Sequence, residues 1–385
     1  MSRPKLIDSD VHHHWKADSE LVAYLPKKYQ DIVLAPSGSR SPLNPPAIWP
    51  PHLTGSNARL DTFPEGGGAS GSSYETLKKQ CLDPFNVQKA ILSFNVGNHG
   101  ALANPYLGRE IVRAANDWNR DTWLSIDDDR IRSVVMLPFH EPEEAAKEIR
   151  RVGRHPKISE VLMVGNPLGV PFGHPIYHPI YQAADELGLP VGVHVGGEIG
   201  MPYSFAAAVP SSRLEWHTLI AQPMQHHLVS MITHGVFEKF PKLHILFIEI
   251  GVTWLPWLMW NMDAMYPLLK SESPWVKRLP SEYMRQHIRL TTQPLEMSPS
   301  GQAFIDLLSS VDGIDDMICF ASDYPHWDTD DPRFVINRFP RHWRAKIFYN
   351  NAAKMYGWPE LSDEEILGSS NRDVGKRSDQ PGVVA

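Results

Sequence analysis

The chain has 385 residues, of which 42% are hydrophobic, and a net charge of −7. A large core is therefore available, while the acidic balance argues against nucleic acid or anionic membrane as main partner. Only Cys81 and Cys319 are present, which excludes a disulfide scaffold and a cysteine metal cluster. The chain runs directly into Lys5-Leu6-Ile7, so no signal peptide is expected. Its most apolar stretch, Ile245 to Trp260, is broken by Glu249, Gly251, Thr253 and Pro256, so a cytoplasmic protein is expected.

The first predicted element is a strand over Lys5–Val11 that runs into Asp8-Ser9-Asp10-Val11-His12-His13-His14. Side chains two apart on a strand share a face. Asp10, His12 and His14 are thus expected to aim at one point beyond the strand end, where such donors hold a divalent metal. A solvated histidine run or tag remnant is the plainer reading, but tags are longer and all-histidine. From about Lys16 to Asn86 the chain is irregular, with a Pro-rich stretch over 36–51 and the run Glu65-Gly66-Gly67-Gly68-Ala69-Ser70-Gly71. A loop of that length is read as a lid-like insertion over the site, not a separate domain.

Seven further strands are predicted at Val87–Phe94, Ile131–Phe139, Glu160–Val164, Pro190–Val195, His244–Ile250, Ile288–Thr292 and Met317–Ser322. Between them fall the helical segments Arg109–Ile126, Glu143–Val152, Pro179–Leu187, Gln222–Phe240, Gly301–Ser310 and Arg341–Tyr356. Eight strand–helix units with apolar strand interiors predict an α/β fold, a single parallel (β/α)8 TIM barrel over residues 1–368. A doubly wound open sheet is the alternative. The polar tail 369–385 is expected to be disordered.

Barrel chemistry sits at the C-terminal ends of strands, and four predicted strands end in ligand-type residues. They are Asp10 and His12 on the first, His194 on the fifth, Glu249 on the sixth, and Asp323 with His326 three residues on for the eighth. A histidine in an apolar strand is often only a satisfied core residue; the coincidence at four strand ends carries the metal reading. In the pair His226-His227, the first reads as helix surface and the second as the inward candidate.

The segments Asp10-x-His12, Leu189-Pro190-Val191-Gly192-Val193-His194 and Gly235-Val236-Phe237-Glu238-Lys239-Phe240-Pro241 resemble the amidohydrolase-related family, which includes the aminocarboxymuconate-semialdehyde decarboxylase-like proteins. Trp254-Leu255-Pro256, Ser322-Asp323-Tyr324-Pro325-His326 and Asn351-Ala352 match it too, and the resemblance covers roughly residues 4 to 358. It implies a metal-dependent barrel whose ligands fall on Asp10, His12, His194 and Asp323. Two positions depart from the family pattern. Asp10 stands where relatives often carry histidine, and Glu249 stands where many carry histidine on strand six.

The expected activity is hydrolysis of a small aromatic or cyclic acid or amide by metal-activated water. Asp323 or Glu249 would act as base, and His326 or His217 would protonate the leaving group. Non-oxidative decarboxylation of an aromatic or enol carboxylate is the first alternative. A dinuclear iron or manganese oxygenase, with Glu249 or the extra histidines His13, His14, His217 and His227 supplying a second site, is another. The cofactor is one or two divalent ions, zinc first, then manganese or iron. A small-molecule substrate and a homodimer are expected, with no nucleic acid or membrane partner. Trp15 and Trp254 are apolar wall candidates, although such residues are more often plain core.

Overall fold

The computed structural model describes residues 3–33, 57–94, 97–196, 210, 212–296, 298 and 300–368. Eight strands form one parallel sheet in chain order: β1 (Leu6–His13), β2 (Val87–Phe94), β3 (Ile131–Val135), β4 (Ile158–Val164), β5 (Val191–His194), β6 (Ile245–Ile248), β7 (Ile288–Thr291) and β8 (Ile318–Cys319). All residues of β1, β3, β4, β5, β6, β7 and β8 are buried. That is why these strands read as continuous apolar runs: both faces are covered.

The sheet closes through the chain just after β8. Ser9 N–H donates to Phe320 O at 3.0 Å, Asp323 N–H to Asp10 O at 3.0 Å and His12 N–H to Tyr324 O at 2.7 Å. Val11 and Tyr324 form a parallel bridge there. This is the predicted (β/α)8 barrel, and its closure brings the last residues of β1 against those that follow β8.

Helices follow their local signals. Asn104 caps Pro105–Asp121 by accepting from Leu107 N–H, with proline in the first turn, and Gly188 ends His178–Leu187 in the left-handed region at φ +66°. The single helix predicted over Gln222–Phe240 is two. Ala221–Thr233 stops before Gly235, which takes φ +73°, and the short helix Val236–Lys239 follows. The Trp275 ring packs into the space left by the missing Cβ: one built on Gly235 would lie 2.5 Å from Trp275 Cδ1. Strands six and eight are shorter than expected; Glu249 (φ +61°) leaves extended geometry directly after β6, and Asp323 (φ +59°) does so four residues past the end of β8.

Of the long insertion, residues 34–56 lie outside the described residues, as does the tail expected at 369–385. The remainder touches the C-terminal end of β1. Gly71 O accepts from His14 N–H at 3.0 Å, and a Cβ on Gly71 would sit 2.8 Å from His12 O. Ala58 bridges to His326. Among the described residues no helix is long and apolar enough to cross a membrane.

Candidate metal centre

Four strand ends converge at the C-terminal mouth. Asp10 and His12 come from β1, His194 is the last residue of β5, Glu249 follows β6, and Asp323 follows β8. His12 Nε2 lies 3.5 Å from Asp10 Oδ1 and 3.0 Å from Asp323 Oδ1. His194 Nε2 lies 3.4 Å from Asp10 Oδ2 and 3.7 Å from Glu249 Oε2. Asp10 and Asp323 are fully buried, and His12, His194 and Glu249 nearly so.

These donors have no ordinary hydrogen-bonding work. Both carboxylate oxygens of Asp10, the Nε2 atoms of His12 and His194, and Asp323 Oδ1 are buried without a hydrogen bond. Buried polar groups are nearly always satisfied, so a knot of orphans facing one another needs a reason. Asp10, His12 and His194 place their ligand atoms within 4.8 Å of one another. The chemistry of the set, oxygen and imidazole nitrogen, fits a divalent cation.

Neighbours fix the donors. His194 Nδ1 lies 2.6 Å from Val195 O, which turns Nε2 toward the centre. Asp8 Oδ1 accepts from Ser322 N–H at 2.9 Å and from Asp10 N–H at 3.4 Å, joining the ends of β1 and β8. Gln293 Nε2 lies 3.3 Å from Asp323 Oδ2.

The electrostatics show several charges crowded into one buried cluster. Burial pushes the Asp323 carboxyl well up, and the Asp10 charge adds to it. Burial does the same to Glu249, reinforced by Asp323. Burial works in the same direction on Asp10, yet the His12 and His194 imidazoles beside it hold it below its usual value. Burial alone would lower His12 and His194, but Asp10 and then Glu249 raise both. Asp8 is pushed up to about 7 by burial.

The structure brings together Asp10, His12, His194, Glu249, Asp323 and His326. His326 Nδ1 lies 2.7 Å from Asp323 Oδ1, and its ring stacks on His12 at 4.2 Å. One expected residue stands elsewhere. His14 lies past the end of β1, where the alternation of faces no longer holds, and its Nδ1 contacts Trp15 O at 2.7 Å. His217 reaches the group through one residue: its Nε2 lies 3.0 Å from Asp328 Oδ2, and Asp328 stands with Glu249 and Asp323. His227 points inward, as expected, but against Phe172, whose N–H it accepts at 3.2 Å, while His226 is exposed. Trp15 is fully buried core.

Sequence reasoning missed Asp328, Gln293 and Asp8. Glu249, Asp323 and Asp328 form a second group whose ligand atoms lie within 4.8 Å of one another. Asp8 carried a signal, being two residues before Asp10 on the same strand. Asp328 and Gln293 sit in loops with no periodicity to mark them.

A family model described as Amidohydrolase matches residues 9–358. A γ-resorcylate decarboxylase of Polaromonas sp. strain JS666 is 25% identical over 289 residues, covering 71% of this chain and 85% of its own. A solved amidohydrolase from Mycobacterium avium subsp. paratuberculosis K-10 superposes with TM-score 0.68 at 20% identity, covering 93% of this chain and 99% of its own. The dihydroxybenzoic acid decarboxylase of Polaromonas sp. JS666, solved with manganese and the inhibitor 2-nitroresorcinol, superposes with TM-score 0.62 at 17% identity, covering 93% and 97%.

Proposed function

The chain belongs to the amidohydrolase family, and we propose that within it this protein is a metal-dependent, non-oxidative decarboxylase of a hydroxylated aromatic acid. The observation that carries this reading is the set of buried donors Asp10, His12, His194 and Asp323, which face one another with atoms that make no hydrogen bond, in a chain whose curated relatives include γ-resorcylate decarboxylases. We prefer it to hydrolysis, the first reading of the sequence, because the curated relatives include decarboxylases of aromatic acids.

Asp10, His12, His194 and Asp323 would hold one divalent ion. We place manganese ahead of zinc, since the solved decarboxylase carries it. When bound, the cation supplies positive charge for the oxygens of the substrate. The chain's own residues do the rest. His194 is oriented by Val195 O, and Asp8 and Gln293 steady the carboxylates. Glu249, 3.7 Å from His194 and 7% exposed, is placed to deliver a proton. That proton goes to the ring carbon bearing the carboxylate. The bond to the carboxylate carbon then breaks, its electron pair returns to the ring, and carbon dioxide leaves.

Manganese-loaded protein given 2,6-dihydroxybenzoate or a related hydroxybenzoate under nitrogen should release one carbon dioxide per arene formed. Hydrolysis of amides or lactones with no carbon dioxide from any aromatic acid would overturn the reading. A second reading, a two-ion centre, is favoured by the grouping of Glu249, Asp323 and Asp328. Two metal equivalents together with oxygen consumption would select it.

A further inference from the structure

At the rim of the mouth the short helix Arg213–Leu219 meets the loop after β8. His217 ties the two together through Asp328. One turn earlier, Arg213 lies against the same loop. Its Nη1 donates to Asn57 Oδ1 at 2.8 Å, and Asn57 O in turn accepts from Trp327 N–H at 2.8 Å. The guanidinium stands 5.0 Å from the centre of the Trp327 ring and 6.0 Å from that of Trp216. Trp327 lies in the chain between His326, which touches Asp323, and Asp328, so the cation is held beside the centre just described.

Arg213 lacks the carboxylate partner that several other arginines have. Arg59, Arg130, Arg151 and Arg333 each sit on a carboxylate. Among the described residues Arg213 has no carboxylate within ion-pair distance, and its Nε is buried with no hydrogen-bond partner. A partly buried guanidinium with an unused donor edge is costly unless something anionic completes it. The guanidinium fork matches a carboxylate, and the exposed Trp327 indole offers a face to an aromatic ring.

We propose that Arg213 is a specificity-determining residue that receives the carboxylate of an aromatic acid, beside the indoles of Trp216 and Trp327. This deepens the decarboxylase reading and rests on it for the identity of the acid. A role confined to balancing the acidic residues of the centre would show in metal retention. Recognition of the acid would show in the choice between acid and neutral analogue.

The test is calorimetric titration of the manganese-loaded protein with 2,6-dihydroxybenzoate and with the uncharged 2,6-dihydroxybenzamide, for the wild type, Arg213→Gln and Arg213→Lys. Metal content and melting temperature are measured alongside. The wild type should prefer the acid. Arg213→Gln should lower the acid-to-amide affinity ratio about tenfold or more, with Arg213→Lys in between and metal content unchanged. A ratio that falls less than fivefold in Arg213→Gln overturns the proposal, as does a wild type with no preference for the acid. Failure of the decarboxylase reading would look different: the acid would bind in an Arg213-dependent way and release no carbon dioxide.

Discussion

Asp10 and Asp323 are fully buried carboxylates with oxygens that make no hydrogen bond, and an uncompensated buried charge costs several kcal/mol. The imidazoles of His12 and His194 offset part of this for Asp10, while Asp323 and Glu249 are left crowded. Support beneath the donors matters as much as the donors. Asp8, which accepts from the backbone of both Ser322 and Asp10, should control how tightly an ion is held. Asp8→Ala is expected to weaken metal affinity by about 10–100-fold in a chelator competition assay, although every donor is intact; unchanged affinity would deny Asp8 that role. At this scale the sequence was legible where residues close a strand, as with Asp10, His12, His194, Glu249 and Asp323. It misled at His14, one residue past the strand, and was silent on Asp328 and Arg213, whose positions depend on tertiary contacts between loops.

Directly after β6, and four residues past β8, the structure holds Glu249 and Asp323 in left-handed geometry, which costs on the order of 1–3 kcal/mol per residue. Strain of that kind concentrates at functional sites, and here it turns two carboxylates into the mouth. Apolar runs could not disclose it, so the predicted sixth strand ran on through Ile250. Likewise Gly235 divides the helix expected over Gln222–Phe240. The first of the two resulting helices buries His227, stacked on Phe172 at 3.9 Å, and burial lowers its pKa to about 3. The folded value lies below the ordinary 6.5. Above that pH both folded and unfolded chains carry a neutral ring; below it only the unfolded chain gains the proton, so stability falls as pH falls. Between pH 7 and 5, His227 should account for roughly 2 kcal/mol of lost stability. Urea unfolding of His227→Gln should show a shallower pH dependence than the wild type. Parallel dependences would contradict the buried neutral histidine.

Over the whole molecule, eight apolar strands in chain order were enough to read the barrel, because both faces of each strand are covered and the pattern repeats without interruption. Closure was not readable in advance. It depends on Ser9, Asp10 and His12 meeting the backbone of 320–324, and this contact makes one centre out of residues near opposite ends of the sequence. The insertion was legible as irregular, but its grip on β1 depends on Gly71, whose missing side chain lets the loop lie on His12 O. One assembly is central to the proposed chemistry: Asp10, His12, His194 and Asp323 sharing a cation. Metal analysis by mass spectrometry of protein reconstituted with manganese and desalted tests this most directly. The wild type should keep at least one equivalent, and Asp10→Ala and His194→Ala should keep essentially none while remaining folded by circular dichroism. A wild type that retains no metal, or folded variants that retain as much as the wild type, would contradict it.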